Sequence, residues 1–148
     1  QSHPVAVRYA LGGARILSGI LATGQPSLVG VAEELEKSSD STDRDVASSI
    51  RKAIADTSSH KDAVKTHGLA CGMPPSFIGM IHGINVSQSY TDAVRGEILA
   101  AGDNCSRVAF IGACLGAKYG LDSIPEAWLQ KVNKSTQLLE WTEAIAKF

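Results

Sequence analysis

The chain has 148 residues, enough for one domain with its own core and too few for two ordinary domains. Its 14 basic and 15 acidic residues give a formal net charge of −1, which excludes a strong electrostatic attraction to nucleic acid or to an anionic membrane. Arg8 and Arg15 interrupt the most apolar stretch, so no segment that crosses a membrane is expected.

Helical patterns follow one another along the whole chain. Helix starts are predicted by hydroxyl residues followed three positions later by an acid, at Thr42, Ser59, Ser89 and Ser123. Helix ends are predicted by Gly24, Gly68, Gly83, Gly102 and Gly120. The predicted helices cover residues 4–23, 26–37, 43–57, 60–67, 74–83, 89–101, 104–119, 124–133 and 135–147. The one β-prone run, residues 84–86, is too short for a strand. The fold class predicted from these patterns is all-α.

Two of the predicted helices, 4–23 and 104–119, are apolar on nearly every side, which is typical of central helices. Gly112 and Gly116 give the second one a flat face that another helix can approach closely, with Gly12 and Gly13 as its counterpart. The remaining helices are too few to enclose two central ones. We therefore expect an exposed apolar surface covered by an upstream segment, by a second copy or by a co-purifying chain.

The cysteines Cys71, Cys105 and Cys114 are an odd set without Cys-x-x-Cys spacing, which disfavours a disulfide framework or a zinc site. They are interpreted as buried free thiols of a reducing compartment, either the cytoplasm or the interior of an organelle. No secretory signal is visible, and the chain begins with Gln1 and not with Met. A trimmed product with further sequence upstream is therefore expected.

Asp103 is the sharpest candidate for chemistry, because it follows a glycine at the start of a predicted helix. One interpretation is a plain N-cap whose carboxylate accepts backbone N–H bonds. The other is a ligand of a hard divalent cation such as Mg²⁺, with Ser106 on the same face of the first turn. Cys105 between them offers soft sulfur, which is a poor donor for Mg²⁺. The four histidines have no helical metal-site spacing and are interpreted as surface or core residues.

Several motifs occur in the order in which one known family has them. His3-Pro4 opens the first apolar helix, and residues 87–93 read Ser-Gln-Ser-Tyr-Thr-Asp-Ala. Residues 101–106 read Ala-Gly-Asp-Asn-Cys-Ser, where the family has Gly-Gly-Asp-x-Asp-Thr/Ser. Residues 120–128 carry a Gly-x-x-x-Ile-Pro-x-x-Trp pattern. From His3 to about Trp128 the chain thus resembles the C-terminal half of the ADP-ribosylglycohydrolase family.

The resemblance implies an all-α orthogonal helical bundle, of which residues 1–148 form the C-terminal part. It also implies a two-Mg²⁺ cluster that binds ADP-ribose and supports hydrolysis of ADP-ribosyl bonds. Some ligands of that cluster come from an N-terminal Ser/Thr-Asp-Asp segment, which this chain lacks. By resemblance Asp103 matches the first acid of the second ligand turn, Cys105 replaces the second acid, and Ser106 matches the hydroxyl. This variant turn is similar to that of the jellyfish J-type crystallins, relatives recruited for non-catalytic use.

Three functions are compatible with these residues. The first is an impaired or non-catalytic relative that acts as a scaffold or binds an ADP-ribose-type ligand. The second is a Mg²⁺-dependent hydrolase of ADP-ribosylated substrates, completed by an N-terminal half that the upstream segment supplies. The third is a purely structural helical interaction module. For the isolated chain we expect no hydrolysis, since Asp103 and Ser106 alone cannot complete two octahedral Mg²⁺ shells.

Overall fold

A computed structural model describes residues 3–147, and within them nine α-helices and a 3₁₀ turn account for the regular structure, with no strand. The helices are α1 Pro4–Thr23, α2 Leu28–Glu36, α3 Ser41–Ala55, α4 His60–His67, α5 Pro75–Val86, α6 Tyr90–Ala100, α7 Asn104–Tyr119, α8 Glu126–Leu129 and α9 Ser135–Ile145, and the 3₁₀ turn is Leu121–Ser123. The all-α prediction is confirmed.

The central element is α5, and the prediction that α1 and α7 are the two central helices is wrong. Nine consecutive residues of α5, from Ser76 to Ile84, are buried, and the helix packs against α3, α4, α6 and α7. By contrast, α1 leaves Leu11 and Leu21 exposed. The apolar pattern of one helix does not show which neighbours enclose it, and the glycines of α5 are what lets those neighbours approach.

Two glycines of α5 are sites of close helix packing. A Cβ atom added at Gly79 would lie 2.9 Å from Cδ of Arg107, and one added at Gly83 would lie 2.6 Å from Cδ1 of Ile111. Both neighbours belong to α7 and are fully buried. Gly83 was expected to end a helix; it lies inside one because α5 continues to Val86.

The small-residue face of α7 receives an aromatic side chain from α6. Gly112 and Gly116 lie against the ring of Tyr90, and they do not lie against Gly12 and Gly13 of α1 as expected. The Tyr90 ring in turn packs against Trp128, with ring centroids 6.3 Å apart. Two of the motifs that carry the resemblance, the Ser-x-Ser-Tyr segment and the Ile-Pro-x-x-Trp segment, therefore meet the glycine face of α7 in one packed cluster.

Helix starts agree with the predicted capping residues at two of four places. Ser59 and Ser89 accept backbone N–H bonds from Asp62 and Asp92, as predicted. The start of α3 is capped by Asp40, whose carboxylate accepts from the N–H of Thr42, and Ser123 instead donates to the carbonyl of Gly120. The predicted helix 124–133 shortens to the four residues of α8.

The first helix, α1, is long and apolar enough to cross a membrane by length and composition alone, although Arg8 and Arg15 interrupt it. In this structure it is a packed element of the bundle. Its inner face buries Tyr9, Ile16 and Ile20, and it contacts α2, α3 and α7. Its two arginines form ion pairs, Arg8 with Asp40 at 2.7 Å and Arg15 with Glu34 at 3.1 Å.

Apolar surface remains exposed at the C-terminal end of the described chain. Residues 136–147 are all exposed, and α9 presents Leu138, Trp141 and Ile145 at helical spacing on one side. The side chain of Trp141 is 53% exposed. A second apolar surface is a groove of about 390 Å³ between α1, α5 and α7, with Phe77 and Phe110 in its wall.

The close approach at Gly79 yields a stability prediction. The variant Gly79→Ala should lose about 1–3 kcal/mol of unfolding free energy, because Arg107 is held by other bonds and cannot move away from the new methyl group. The matched control is Gly19→Ala in α1, where a Cβ would meet nothing within 4 Å. The control should instead gain about 0.5–1 kcal/mol from the higher helix propensity of alanine. Urea unfolding of both variants measures the difference, and equal stabilities would contradict the packing described.

Candidate functional site

The loop between α6 and α7 makes a sharp turn that fixes the position of Asp103. Ala101 has φ +66° and ψ −174°, and Gly102 has φ +73°, so two successive residues lie where L side chains are disfavoured. A Cβ at Gly102 would collide with the carbonyl oxygen of Leu69. That same oxygen accepts a hydrogen bond from the backbone N–H of Asp103 at 3.0 Å. The turn is therefore held against the loop that follows α4.

The carboxylate of Asp103 does not act as a plain N-cap. Asp103 is the residue before α7, yet its side chain accepts no backbone N–H bond. Its Oδ1 accepts a hydrogen bond from the hydroxyl of Ser106 at 3.1 Å. Its Oδ2 is buried and has no hydrogen-bond partner among the described residues. The structure thus places Asp103 and Ser106 together, with one carboxylate oxygen left over.

The possible metal-ligating atoms next to Asp103 suit at most one hard cation. The Oδ1 atom of Asn104 is also buried without a partner, while its Nδ2 donates to the carbonyl of Ile98 at 3.2 Å. Cys105 is exposed as a free thiol. Across residues 3–147 no group of three or more His, Cys, Asp or Glu side chains converges as a metal cluster would. One carboxylate with a hydroxyl and an amide oxygen does not fit the two-Mg²⁺ cluster that the resemblance implies.

Directly beneath this turn lies a buried polar cluster that sequence reasoning missed. Arg107 and Glu97 are both fully buried, and the guanidinium Nε donates to Glu97 Oε1 at 2.7 Å. The Nη2 atom of Arg107 donates to the carbonyl oxygen of Ala101. The other oxygen of Glu97 contacts Nε2 of His60 at 2.8 Å. One ion pair therefore joins α4, α6 and α7 to the turn.

The cluster extends to a second histidine in the centre of α5. His82 is fully buried, and its Nδ1 lies 3.1 Å from Nδ1 of His60. Burial is the main cause that lowers the pKa of His82, and the nearby His60 lowers it further, while Asp56 acts in the opposite direction. Asp56 itself bonds His67 at 2.9 Å. Hydrogen bonds from Ser58 are the main cause that lowers the pKa of Asp56 to about 2.

Two signals in the sequence pointed to this cluster. Arg107 is a charged residue inside the largely apolar pattern of α7, and His82 lies in the most apolar helix of the chain. A charge in such a position is buried only when it is paired, which makes it a candidate for a buried ion pair. The partners stayed hidden because sequence spacing cannot show that residues 60, 82, 97 and 107 converge.

The cysteines depart from the expected burial. Only Cys114 is buried, and burial raises its pKa to about 12, so that its thiol is unreactive. Cys71 and Cys105 are exposed, because one lies in the loop after α4 and the other on the outer face of the first turn of α7. All three are free thiols, as predicted.

Comparison with known proteins now decides the family. The model of the family described as ADP-ribosylglycohydrolase matches residues 1–148. The chain belongs to the ADP-ribosylglycohydrolase family. Crystallin J1A of Tripedalia cystophora is 34% identical over 89 residues, which are 60% of this chain and 28% of that protein. Crystallin J1B of the same organism is 27% identical over 86 residues, which are 58% of this chain and 27% of that protein.

These matches cover only a part of each relative. The matched part covers little more than a quarter of the length of either crystallin. No solved structure matches the chain. Within the family pattern Gly-Gly-Asp-x-Asp, this member has Ala101 at a backbone conformation suited to glycine and Cys105 at the second acid. The turn therefore departs from the pattern both in its backbone residue and in its ligand.

The strained turn provides a direct test of the backbone geometry. The variant Ala101→Gly should raise the unfolding free energy by up to about 1 kcal/mol, since relief of strain at a positive φ exceeds the entropy cost of glycine. Guanidinium unfolding measures it. The comparison variant is Ala100→Gly at the preceding helical residue, which should be destabilised. If both variants lose stability equally, Ala101 does not have the conformation described.

The buried ion pair predicts a loss of unfolding free energy on substitution, in contrast to the gain expected for Ala101→Gly. The variant Arg107→Met should cost about 3–5 kcal/mol of unfolding free energy, because Glu97 would be left as a buried charge without its cation. The exposed ion pair of Arg51 with Glu36 provides the control, and Arg51→Met should cost about 0–1 kcal/mol. Thermal and urea unfolding of both variants measure the contrast. Similar losses would show that Arg107 is not enclosed.

Proposed function

We propose that this chain is a non-catalytic or impaired ADP-ribosylglycohydrolase-like protein, a helical scaffold that keeps one weak position for an ADP-ribose-type ligand. The observation that carries the proposal is the turn at residues 101–106. It retains Asp103 and Ser106 in contact at 3.1 Å, while the exposed Cys105 stands where the family has a second acid. The names of the curated relatives, both crystallins, support a role other than turnover.

The residues that would hold a cation are Asp103, Ser106 and Asn104. Mg²⁺ held there would supply positive charge for the phosphate oxygens of a ligand. A buried carboxylate oxygen and a buried amide oxygen, both without partners, are the atoms that such an ion would satisfy. The binding is expected to be weak, because a single carboxylate offsets only a small part of the free energy that dehydration of Mg²⁺ costs.

The proposal is tested by titrating Mg²⁺ into the chain by calorimetry, with and without ADP-ribose. Cys105→Asp adds the missing carboxylate and should tighten Mg²⁺ binding at least about tenfold, since affinity follows the charge of the ligand set. Asp103→Asn should abolish binding in both backgrounds. The matched control is Asp122→Asn, an exposed acid in the 3₁₀ turn that removes the same charge elsewhere.

Three outcomes would contradict the proposal. ADP-ribosyl hydrolysis by the natural chain, abolished by Asp103→Asn, would identify a working hydrolase. Mg²⁺ binding unchanged by Asp103→Asn would place the ion elsewhere. ADP-ribose that neither binds nor shifts the melting temperature, in the natural chain and in Cys105→Asp alike, would leave a scaffold without a ligand.

A second candidate function, a purely structural interaction module, is favoured by the exposed apolar side chains. The face of α9 with Leu138, Trp141 and Ile145 and the groove beside Phe110 are exposed apolar surfaces of the kind that mark interaction sites. They would be covered by an N-terminal half of the family domain, by a second copy or by a co-purifying chain. Sedimentation at low micromolar concentration tests this function, and a clean monomer that binds no apolar dye would contradict it.

The exposed free thiols of Cys71 and Cys105 support a reducing compartment, as the composition also suggested. Exposed cysteines in an oxidising compartment would be liable to pair with other thiols.

A further inference from the structure

The contact between His60 and His82 restricts how many protons the two rings can hold together. The proposed scaffold role does not depend on this restriction. Their Nδ1 atoms lie 3.1 Å apart, and their rings are stacked with an interplanar angle of 15°. A hydrogen bond between two imidazole nitrogens needs a proton on one nitrogen and a free lone pair on the other. The pair is therefore stable when both rings are neutral or when one is charged. When both rings are charged, both Nδ1 atoms carry protons and repel.

We propose that the His60–His82 pair is an acid-sensitive latch, and that protonation of both imidazoles releases α4 from the rest of the bundle. Each ring takes its proton from solvent, and no covalent bond changes. The proposal is independent of the ligand position at Asp103.

The charged groups around the pair do not compensate a second positive charge. Glu97 of α6 contacts His60, but its charge is already matched by Arg107 of α7, which donates to its other oxygen. On the other side of His82, Asp56 precedes α4 and is already bonded to His67 of α4. With both rings protonated, the two imidazoles and the Arg107 guanidinium outnumber the carboxylates of Glu97 and Asp56, so the second proton leaves the cluster with a net positive charge. Because His82 is fully buried, water cannot screen that repulsion.

The helix α4 is the element that can leave at small cost. It has eight residues, of which only Ala63 and Val64 are buried, and it packs against α5 and α6. His60 is its first residue, so the pair attaches α4 at one end. Short elements with few buried apolar residues open locally while the core stays folded.

The direction of the pH effect follows from linkage. The pKa of His82 in the folded chain lies below its ordinary value of 6.5, so above pH 6.5 neither the closed nor the open state binds this proton. As the pH falls below 6.5, the open state binds the proton and the closed state resists it. Acidification therefore favours opening, and neutral pH restores the closed state.

The test is amide hydrogen exchange of the whole chain by NMR at pH 7.5 and pH 5.0, corrected for intrinsic rates. Protection of the amides of Ala63 and Val64 should fall at least about tenfold at pH 5.0, whereas protection of Ile111 in α7 should change much less. The ring protons of His60 and His82 should titrate in the same experiment. The midpoint of the loss of protection should coincide with the second ring protonation, a readout that requires no variant.

Variants then locate the effect. His82→Asn and His60→Asn each place an amide group near the former Nδ1 position and cannot titrate, so the tenfold pH effect on α4 should disappear in both. The matched control is His3→Asn, an exposed histidine at the start of α1, which should keep the effect. Equal protection of α4 at both pH values in the natural chain would overturn the proposal. A pH effect that persists in His60→Asn and His82→Asn would also overturn it.

Discussion

The buried ion pair between Arg107 and Glu97 is the interaction on which the packing of α4, α6 and α7 depends. Neither side chain has any exposed surface, so each charge requires the other. The guanidinium also donates to the carbonyl of Ala101, and the carboxylate also holds His60. A single charge pair thus fixes the end of α6, the start of α7 and the position of α4. The approach is close because α5 has Gly79 where a side chain would strike Arg107.

This arrangement separates the support of the candidate site from the site itself. Arg107 holds the Ala101 carbonyl from below, and Leu69 holds the N–H of Asp103 from the side. Cys105 takes part in neither contact and is exposed. Its side chain can therefore change from a carboxylate to a thiol without disturbing the turn. The physical consequence is that a metal ligand of the turn can be lost while the fold is kept. A member of an enzyme family that serves only as a scaffold requires this independence.

The sequence predicted the elements better than their contacts. Helix bounds such as 60–67 and the caps at Ser59 and Ser89 depend on residues within one turn of each other, and they agree with the structure. The central helix was misplaced because burial depends on neighbouring helices, which the pattern of a single helix does not show. The glycines of α5 mark where those neighbours approach closely. Asp103 and Ser106 are three residues apart on a first turn, so their contact was predictable. The cluster of His60, His82, Glu97 and Arg107 was not, because its members are brought together only by the packing of four helices.

The motifs that identified the family are mostly concerned with packing. Tyr90 lies against Gly112 and Gly116, and Trp128 packs against Tyr90 with the two rings tilted by 56°, so these motifs form one packed cluster. Such packing stabilises a folded bundle whether or not a ligand is bound. The second acid of the metal turn would contribute to ligand binding and not to this packing, since the residue at its position, Cys105, is exposed. A chain with this packed cluster and with Cys105 at the position of the acid therefore has what folding requires without one group that ligand binding would use, and this difference supports the proposed scaffold.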